Sequence, residues 1–238
     1  MKKIQLSDRL SAVAGLVTPG NRIADVGCDH GYIPISLYEE GKIPGALAMD
    51  VNPGPLMRAS EHIREHGLGD YIETRLSNGV QNLRPGEADT VIIAGMGGPL
   101  MEKIISEGRD VLTGVREFIL QPQSEIGHFR HFLLDSGYKI VREDMVFEDG
   151  KYYPMIKAIH KETDAPEVYR YEYEYQFGKY LIENRHPVLI QFLQKEKQTT
   201  RQLLEHLREA GTETADLRSR EVKKEQTLIC QALEAMAI

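Results

Sequence analysis

Through about residue 160 the chain alternates short apolar runs with stretches whose apolar residues recur at helical spacing. The runs at 22–28, 46–51, 71–77, 88–96, 117–122, 138–148 and 152–160 predict strands. Helical spacing covers 32–40, 55–66, 98–107 and 125–136. A shorter helix is expected over 7–17, capped by Ser7, with Leu10, Val13, Ala14 and Val17 on one side and Pro19-Gly20 ending it. Alternation of this kind predicts a mainly parallel sheet with helices on both faces. The run DTVIIAGM is apolar without alternation, as suits a strand covered on both sides. Only Asp149-Gly150 separates the last two strands, a strong hairpin signal, so the sheet should end with an antiparallel strand.

Beyond residue 160 the strand signals stop. KETDAP reads as a polar linker dividing a domain at 1–161 from a helical one at 162–238. Helical spacing returns over 167–183, with Tyr169, Tyr173, Phe177 and Tyr180 on one side, and 184–187 interrupt it. Pro187 then opens a long helix that Gly211 stops, and 214–236 form another. Two long helices joined by a short turn predict an antiparallel hairpin close to a coiled coil.

Composition narrows the classes. No window approaches 18 uncharged apolar residues, so no membrane span is expected. The start, MKKIQLSDRL, has no apolar run after its lysines, so no leader is expected either. Cys28 and Cys230 lie far apart without metal-ligand spacing, which points to a reduced, cytoplasmic protein with no metal site. The formal charge of −7 argues against a general nucleic-acid coat and leaves room for a local basic patch. From Pro187 onward eight Lys/Arg face eight Asp/Glu, so the whole excess of acid falls in 1–186.

The candidate chemistry starts at IADVGCDHGYIP, residues 23–34, a buried strand that runs into a glycine turn. Glycines there let a ligand approach the backbone. A dinucleotide needs Gly-x-Gly-x-x-Gly so that its pyrophosphate can rest on the helix start. The spacing here is Asp25-x-Gly27-x-Asp29-x-Gly31, with an acid where the middle glycine would stand. A carboxylate repels pyrophosphate and suits a cation such as a sulfonium or an amino group, both of which S-adenosylmethionine carries. The competing reading is a tight turn with solvated acids.

Later strand ends add candidates. Asp50, at the tip of ALAMD and followed by Val51, is placed either to accept ribose hydroxyls or to cap the helix near Pro53. Asn78-Gly79 follow the third strand and either bond an adenine amino group or simply form a turn. Ala94-Gly95-Met96-Gly97-Gly98 place three glycines within four positions between strand and helix, which costs chain entropy and implies something close to that backbone. Gln121-Pro122-Gln123 end the fifth strand, where polar side chains can read a base edge or start a helix.

These pieces together resemble the class I S-adenosylmethionine-dependent methyltransferases, an α/β Rossmann-like fold whose sheet has seven strands, the last antiparallel. DVGCDHGYIP, AGMGG and LQPQ, with the C-terminal helical hairpin, narrow the resemblance to the TrmK family across essentially the whole chain. That family comprises bacterial tRNA methyltransferases that modify N1 of adenine 22. The resemblance implies a donor site at Asp25, Gly27, Asp29, Asp50, Asn78 and the loop Ala94, Gly95, Met96, Gly97 and Gly98, and Gly31, Val51 and Gly79 are expected to join it. After its fourth strand this chain carries Gly-Met-Gly-Gly in place of the Asn/Asp-Pro-Pro-aromatic motif of common base methyltransferases.

Neutral adenine already has a lone pair on N1, so positioning and electrostatics suffice for an in-line transfer. Asp29 is the candidate to stabilise the growing positive charge or take a proton from the amino group, with Gly97 and Gly98 supplying backbone contacts. Substrate contacts are expected from Arg9, His30, Tyr32, Gln121 and Pro122. RNA contact is expected from a local basic set: Lys2 and Lys3 near the start, Arg58 and Arg64 on the second main helix, and the hairpin with Lys195 and Arg201. A monomer or weak homodimer is expected. Two other functions stay open, a small-molecule methyltransferase with a dimerising hairpin and a non-catalytic donor-binding module that recruits a partner.

Overall fold

A computed structural model of the chain describes residues 4–162 and 168–237. Lys2, Lys3, most of the expected linker and the first residue of the helix expected at 167–183 lie outside the described residues. The chain folds into two compact units, Met1–Pro166 and Glu167–Ile238.

In the first unit the strands are β1 (Ile23–Val26), β2 (Ala46–Asp50), β3 (Ile72–Leu76), β4 (Thr90–Met96), β5 (Glu117–Pro122), β6 (Tyr138–Glu148) and β7 (Lys151–His160). They form one seven-stranded sheet in the order β3-β2-β1-β4-β5-β7-β6. β1 to β5 run parallel, and β7 is antiparallel to both of its neighbours. Every residue of β1, β2 and β5 is buried, the pattern of strands covered on both faces. The covering helices are α1 (Asp8–Gly15), α2 (Tyr32–Glu39), α3 (Pro53–Glu65), α4 (Gly98–Glu107), α5 (Arg109–Leu112) and α6 (Ile126–Asp135). The short α5 has no counterpart among the sequence expectations.

Two features aim side chains at the C-terminal ends of the strands. First, α1 is fastened at both ends. The Ser7 hydroxyl accepts from Leu10 N at 3.3 Å, capping its start. Just past its end, Thr18 donates through its backbone N–H and its hydroxyl to the buried carboxylate of Glu117 at 2.8 and 2.6 Å. Lys157 pairs with the same carboxylate at 2.7 Å and donates to Leu16 O at 2.9 Å. Burial pushes the Glu117 carboxyl up, but Lys157, Thr18 and Thr90 outweigh it and hold it below the ordinary range. With Thr18 bound at the first residue of β5, α1 runs back along that strand and delivers Arg9 to its far end. Second, β5 pairs with β7 only from Phe118↔Ala158 to Leu120↔Ile156, whereas the β6–β7 ribbon continues to Glu148↔Lys151. The ribbon therefore rises past the end of β5. There Arg9 N–H donates to Glu148 at 3.3 Å, and the Arg9 guanidinium sits 5.5 Å from the Tyr153 ring centroid.

The second unit is helical: α7 (Glu172–Phe177), α8 (Lys179–Glu183), α9 (Pro187–Ala210) and α10 (Glu213–Ala235). The sequence predicts one helix over 167–183; the chain forms two, because Gly178 adopts φ 98° and breaks the helical ladder between them. Gly211, in the left-handed region, ends α9, and Thr212 caps α10 by accepting from Ala215 N. The two long helices pack against each other, and Leu189, Leu193, Val222, Ile229 and Leu233 along them are buried.

Candidate active site

In this sheet the strand order reverses between β1 and β4, the place where open α/β sheets hold ligands. A cavity of about 380 Å³ lies there, lined by Arg9, Leu10, Asp25, Gly27, Cys28, Asp29, His30, Tyr32, Ile33, Ala94, Gly95 and Gln123. The turn after β1 builds one wall. Gly27, Asp29 and Gly31 have φ of 78°, 41° and 69°, all left-handed. Glycine adopts this freely and aspartate tolerates it better than most residues. Gly27 and Cys28 both donate to Met49 O, at 2.8 and 3.0 Å, which ties the turn to the end of β2.

Charge inside the wall is negative. Asp25 is buried, and burial, followed by repulsion from Asp50, pushes its carboxyl up to about 7. Burial also drives the Cys28 thiol well above its ordinary range, with Asp25 and Asp50 adding to the effect. Asp29 is half exposed and pairs with Arg58 from α3 at 2.6 Å, while His30 Nε2 lies 3.5 Å from its other oxygen. His62, one helical turn beyond Arg58, donates through Nδ1 to His30 O at 3.0 Å. The rings of His30, Tyr32 and His62 stack pairwise with centroids 4.9–5.4 Å apart. Among the described residues the buried Nδ1 of His30 has no hydrogen-bond partner.

The opposite wall comes from β4 and β5. The β4–β5 register shifts between Ala94 and Met96, a bulge at Gly95, whose φ is 79°. Gln121 Oε1 accepts from Gly95 N at 3.1 Å and from Arg9 at 3.2 Å, and its Nε2 donates to Pro122 O.

Of the residues singled out in the sequence, Asp25, Gly27, Asp29, Ala94, Gly95, Arg9, His30 and Tyr32 meet at this cavity. The others lie elsewhere. Gly31 is the N-cap of α2, and a Cβ there would come 3.3 Å from Ala59 Cβ. Asp50 accepts from Asn52 N at 2.8 Å at the tip of β2, and the adjacent Val51 is exposed. Asn78 lines a separate cavity of about 30 Å³, and Ile104 fills the space that a Cβ on Gly79 would need. Met96 turns its side chain toward Gly27. Gly97 and Gly98 lack a Cβ because Ser124 presses on both, and Gly98 N donates to Ser124 O. Gln121 and Pro122 are buried behind the cavity. In the second unit Arg201, Arg208 and Lys223 line a groove of about 550 Å³ along α9 and α10, and Lys195 is exposed on α9.

Gln123, one of the polar residues expected to read a base edge or start a helix, lines the cavity, while Leu10, Cys28 and Ile33 join the lining without having been assigned a site role, and His62 joins Arg58 behind it. Gln123 stands in the LQPQ stretch already quoted. Arg58 and His62 stand four apart on one helix face, a spacing that places them side by side but does not name their partners. Among the described residues no group of three or more His, Cys, Asp or Glu is arranged to hold a metal, and no helix is long and apolar enough to cross a membrane.

Comparison with known proteins agrees with this geometry. The family described as "Methyltransferase domain" matches residues 6–156. The tRNA (adenine(22)-N(1))-methyltransferase of Bacillus subtilis is 31% identical over 236 residues, 98% of this chain and 99% of that one. Sp1610 of Streptococcus pneumoniae, solved in complex with S-adenosyl-L-methionine, superposes with a TM-score of 0.84 at 32% identity, covering 96% of this chain and all of that one. TrmK of M. capricolum, solved with the cofactor product S-adenosylhomocysteine, gives a TM-score of 0.82 at 26% identity over 97% of this chain and 99% of that one.

Proposed function

The chain belongs to the methyltransferase family of the tRNA (adenine(22)-N(1))-methyltransferases, and on that premise we propose that it transfers the methyl group of S-adenosylmethionine to N1 of adenine 22 in tRNA. The observation that carries this reading is an acid-lined cavity at the reversal of strand order, in a chain that matches such an enzyme from end to end. The donor set fits the cofactor: carboxylates line the cavity where a sulfonium and an amino group would lie, and the turn lacks the glycine spacing a pyrophosphate needs.

When bound, S-adenosylmethionine supplies an electrophilic methyl group. That chemistry needs the protein's own residues to orient N1 and to stabilise the positive charge gained by the base. Asp25, in the cavity lining, would face the donor's cationic groups, and Asp50 would add negative charge from the neighbouring tip of β2. Asp29, held by Arg58, stands beside the site where charge develops and stabilises it, a preorganised arrangement that loses little to reorganisation. Arg9 is fixed by Gln121, Tyr153 and Glu148, and it favours a phosphate next to the target base. The helical unit braces the folded RNA through Lys195, Arg201 and their neighbours. With tRNA as its substrate, the protein works in the cytoplasm, as a monomer or weak homodimer.

The test is incubation with unmodified tRNA and methyl-labelled donor, followed by nucleoside digestion and mass analysis. Label is expected in 1-methyladenosine. Label in a small molecule, or in no RNA at all, would refute the reading.

A further inference from the structure

Resting on the adenine-N1 reading above, this inference concerns how the base is recognised. N1 must face the methyl group, so it is unavailable for recognition. The atoms left on the neighbouring edge are the N6 amino group, a donor, and N7, an acceptor. A planar carboxamide matches both at once, accepting from N6 and donating to N7, and it rejects guanine, whose O6 and N7 are both acceptors.

Among the residues lining the cavity only Gln123 carries a carboxamide. In the ionised form that binds the donor Asp25 accepts only, as does the Asp29 carboxylate, and Arg9 donates only. His30 offers no adjacent pair either, since its Nε2 faces Asp29 at 3.5 Å and its Nδ1 is buried. Gln121 is occupied: it is fully buried, with its oxygen taken by Gly95 and Arg9 and its nitrogen by Pro122 O. Gln123 is the reverse case. Its backbone N–H is anchored to Met96 O at 2.9 Å, while its side chain is exposed and its carboxamide makes no hydrogen bond among the described residues. A Cβ on Gly95 would lie 3.7 Å from Gln123 Nε2, which places the amide over the Gly95 bulge. The loop after β4 has Gly-Met-Gly-Gly and so no amide of its own; the loop after β5 provides one beside it.

We propose that Gln123 is the specificity-determining residue that reads the N6–N7 edge of the target adenine, while Gln121 acts as a positioning residue for Gly95 and Arg9. The experiment measures kcat/KM on tRNA whose target adenosine is replaced by 7-deazaadenosine, which carries carbon in place of N7. The wild-type protein should lose about tenfold on this exchange. Gln123→Ala should lose about tenfold to a hundredfold on natural tRNA, with donor affinity by calorimetry unchanged, and should lose nothing further on the 7-deaza substrate. Gln123→Glu keeps the volume and the acceptor but not the donor, and it should be equally indifferent to N7. A wild-type protein indifferent to N7, or variants as sensitive to it as the wild type, would overturn the proposal. Failure of the underlying reading shows itself separately, as absence of methyl transfer from the wild-type protein to natural tRNA.

Discussion

Asp25 carries the sharpest consequence of a single side chain. Its carboxyl, ordinarily near 3.8, is pushed up to about 7 by burial and by Asp50. Between those values the folded chain holds a proton that the unfolded chain has lost. This group's contribution to stability is therefore full below 3.8 and disappears as pH rises through about 7. Donor binding runs the other way, because a cation needs the ionised carboxylate. Calorimetry should find donor affinity falling about tenfold from pH 8 to pH 6. Asp25→Asn should flatten that dependence and weaken binding throughout, while denaturant unfolding at pH 8 shows a gain of about 1–3 kcal/mol. Asp29 calls for a different substitution. With φ at 41°, alanine there would mix strain with lost charge, so Asp29→Asn is the cleaner change. It should lower kcat by about tenfold to a hundredfold in single-turnover assays with the far-ultraviolet spectrum unchanged. Both acids are legible in DVGCDHGYIP because charged residues at a glycine turn need a reason. Their neighbours are not: Arg58 reads as an RNA contact and His62 carries no expectation, because only the packing of α3 against the turn pairs them with Asp29 and His30.

Among the elements, the glycine turn and the bulged strand depend on each other. A Cβ on Gly27 would lie 2.5 Å from Met96 Cε, and Gly27 also has φ 78°. Gly27→Ala should cost about 1–3 kcal/mol in thermal or denaturant unfolding. Adding Met96→Ala should restore the part due to the clash but not the part due to the backbone. This also shows what a glycine pattern can and cannot reveal. The glycines after β4 signalled close approach, yet at Gly97 and Gly98 the approaching group is Ser124, and only Gly95 borders the cavity. Strand limits were readable to within about two residues, since apolar runs end where glycine or acid begins. The stretch 167–183 misled because its aromatic period continues through Gly178, and periodicity does not register a single left-handed residue.

For the molecule as a whole, a formal charge of −7 requires that RNA be held by local cation clusters. The balanced charge of the C-terminal hairpin was readable from composition, but which cations converge was not, because that depends on how α9 and α10 face each other. Replacing Lys195 and Arg201 together by alanine should weaken tRNA binding and reduce the slope of log affinity against log salt by about 1–2, with donor affinity unchanged. Both that arm and the chemistry serve one central claim, that the acid-bearing turn after β1 selects a sulfonium nucleoside over a pyrophosphate. Calorimetric titration of the full-length protein with S-adenosylmethionine and, separately, with NAD tests this most directly. That selectivity predicts saturable one-to-one binding of S-adenosylmethionine and no detectable heat from NAD. Saturable NAD binding that S-adenosylmethionine fails to displace would contradict it.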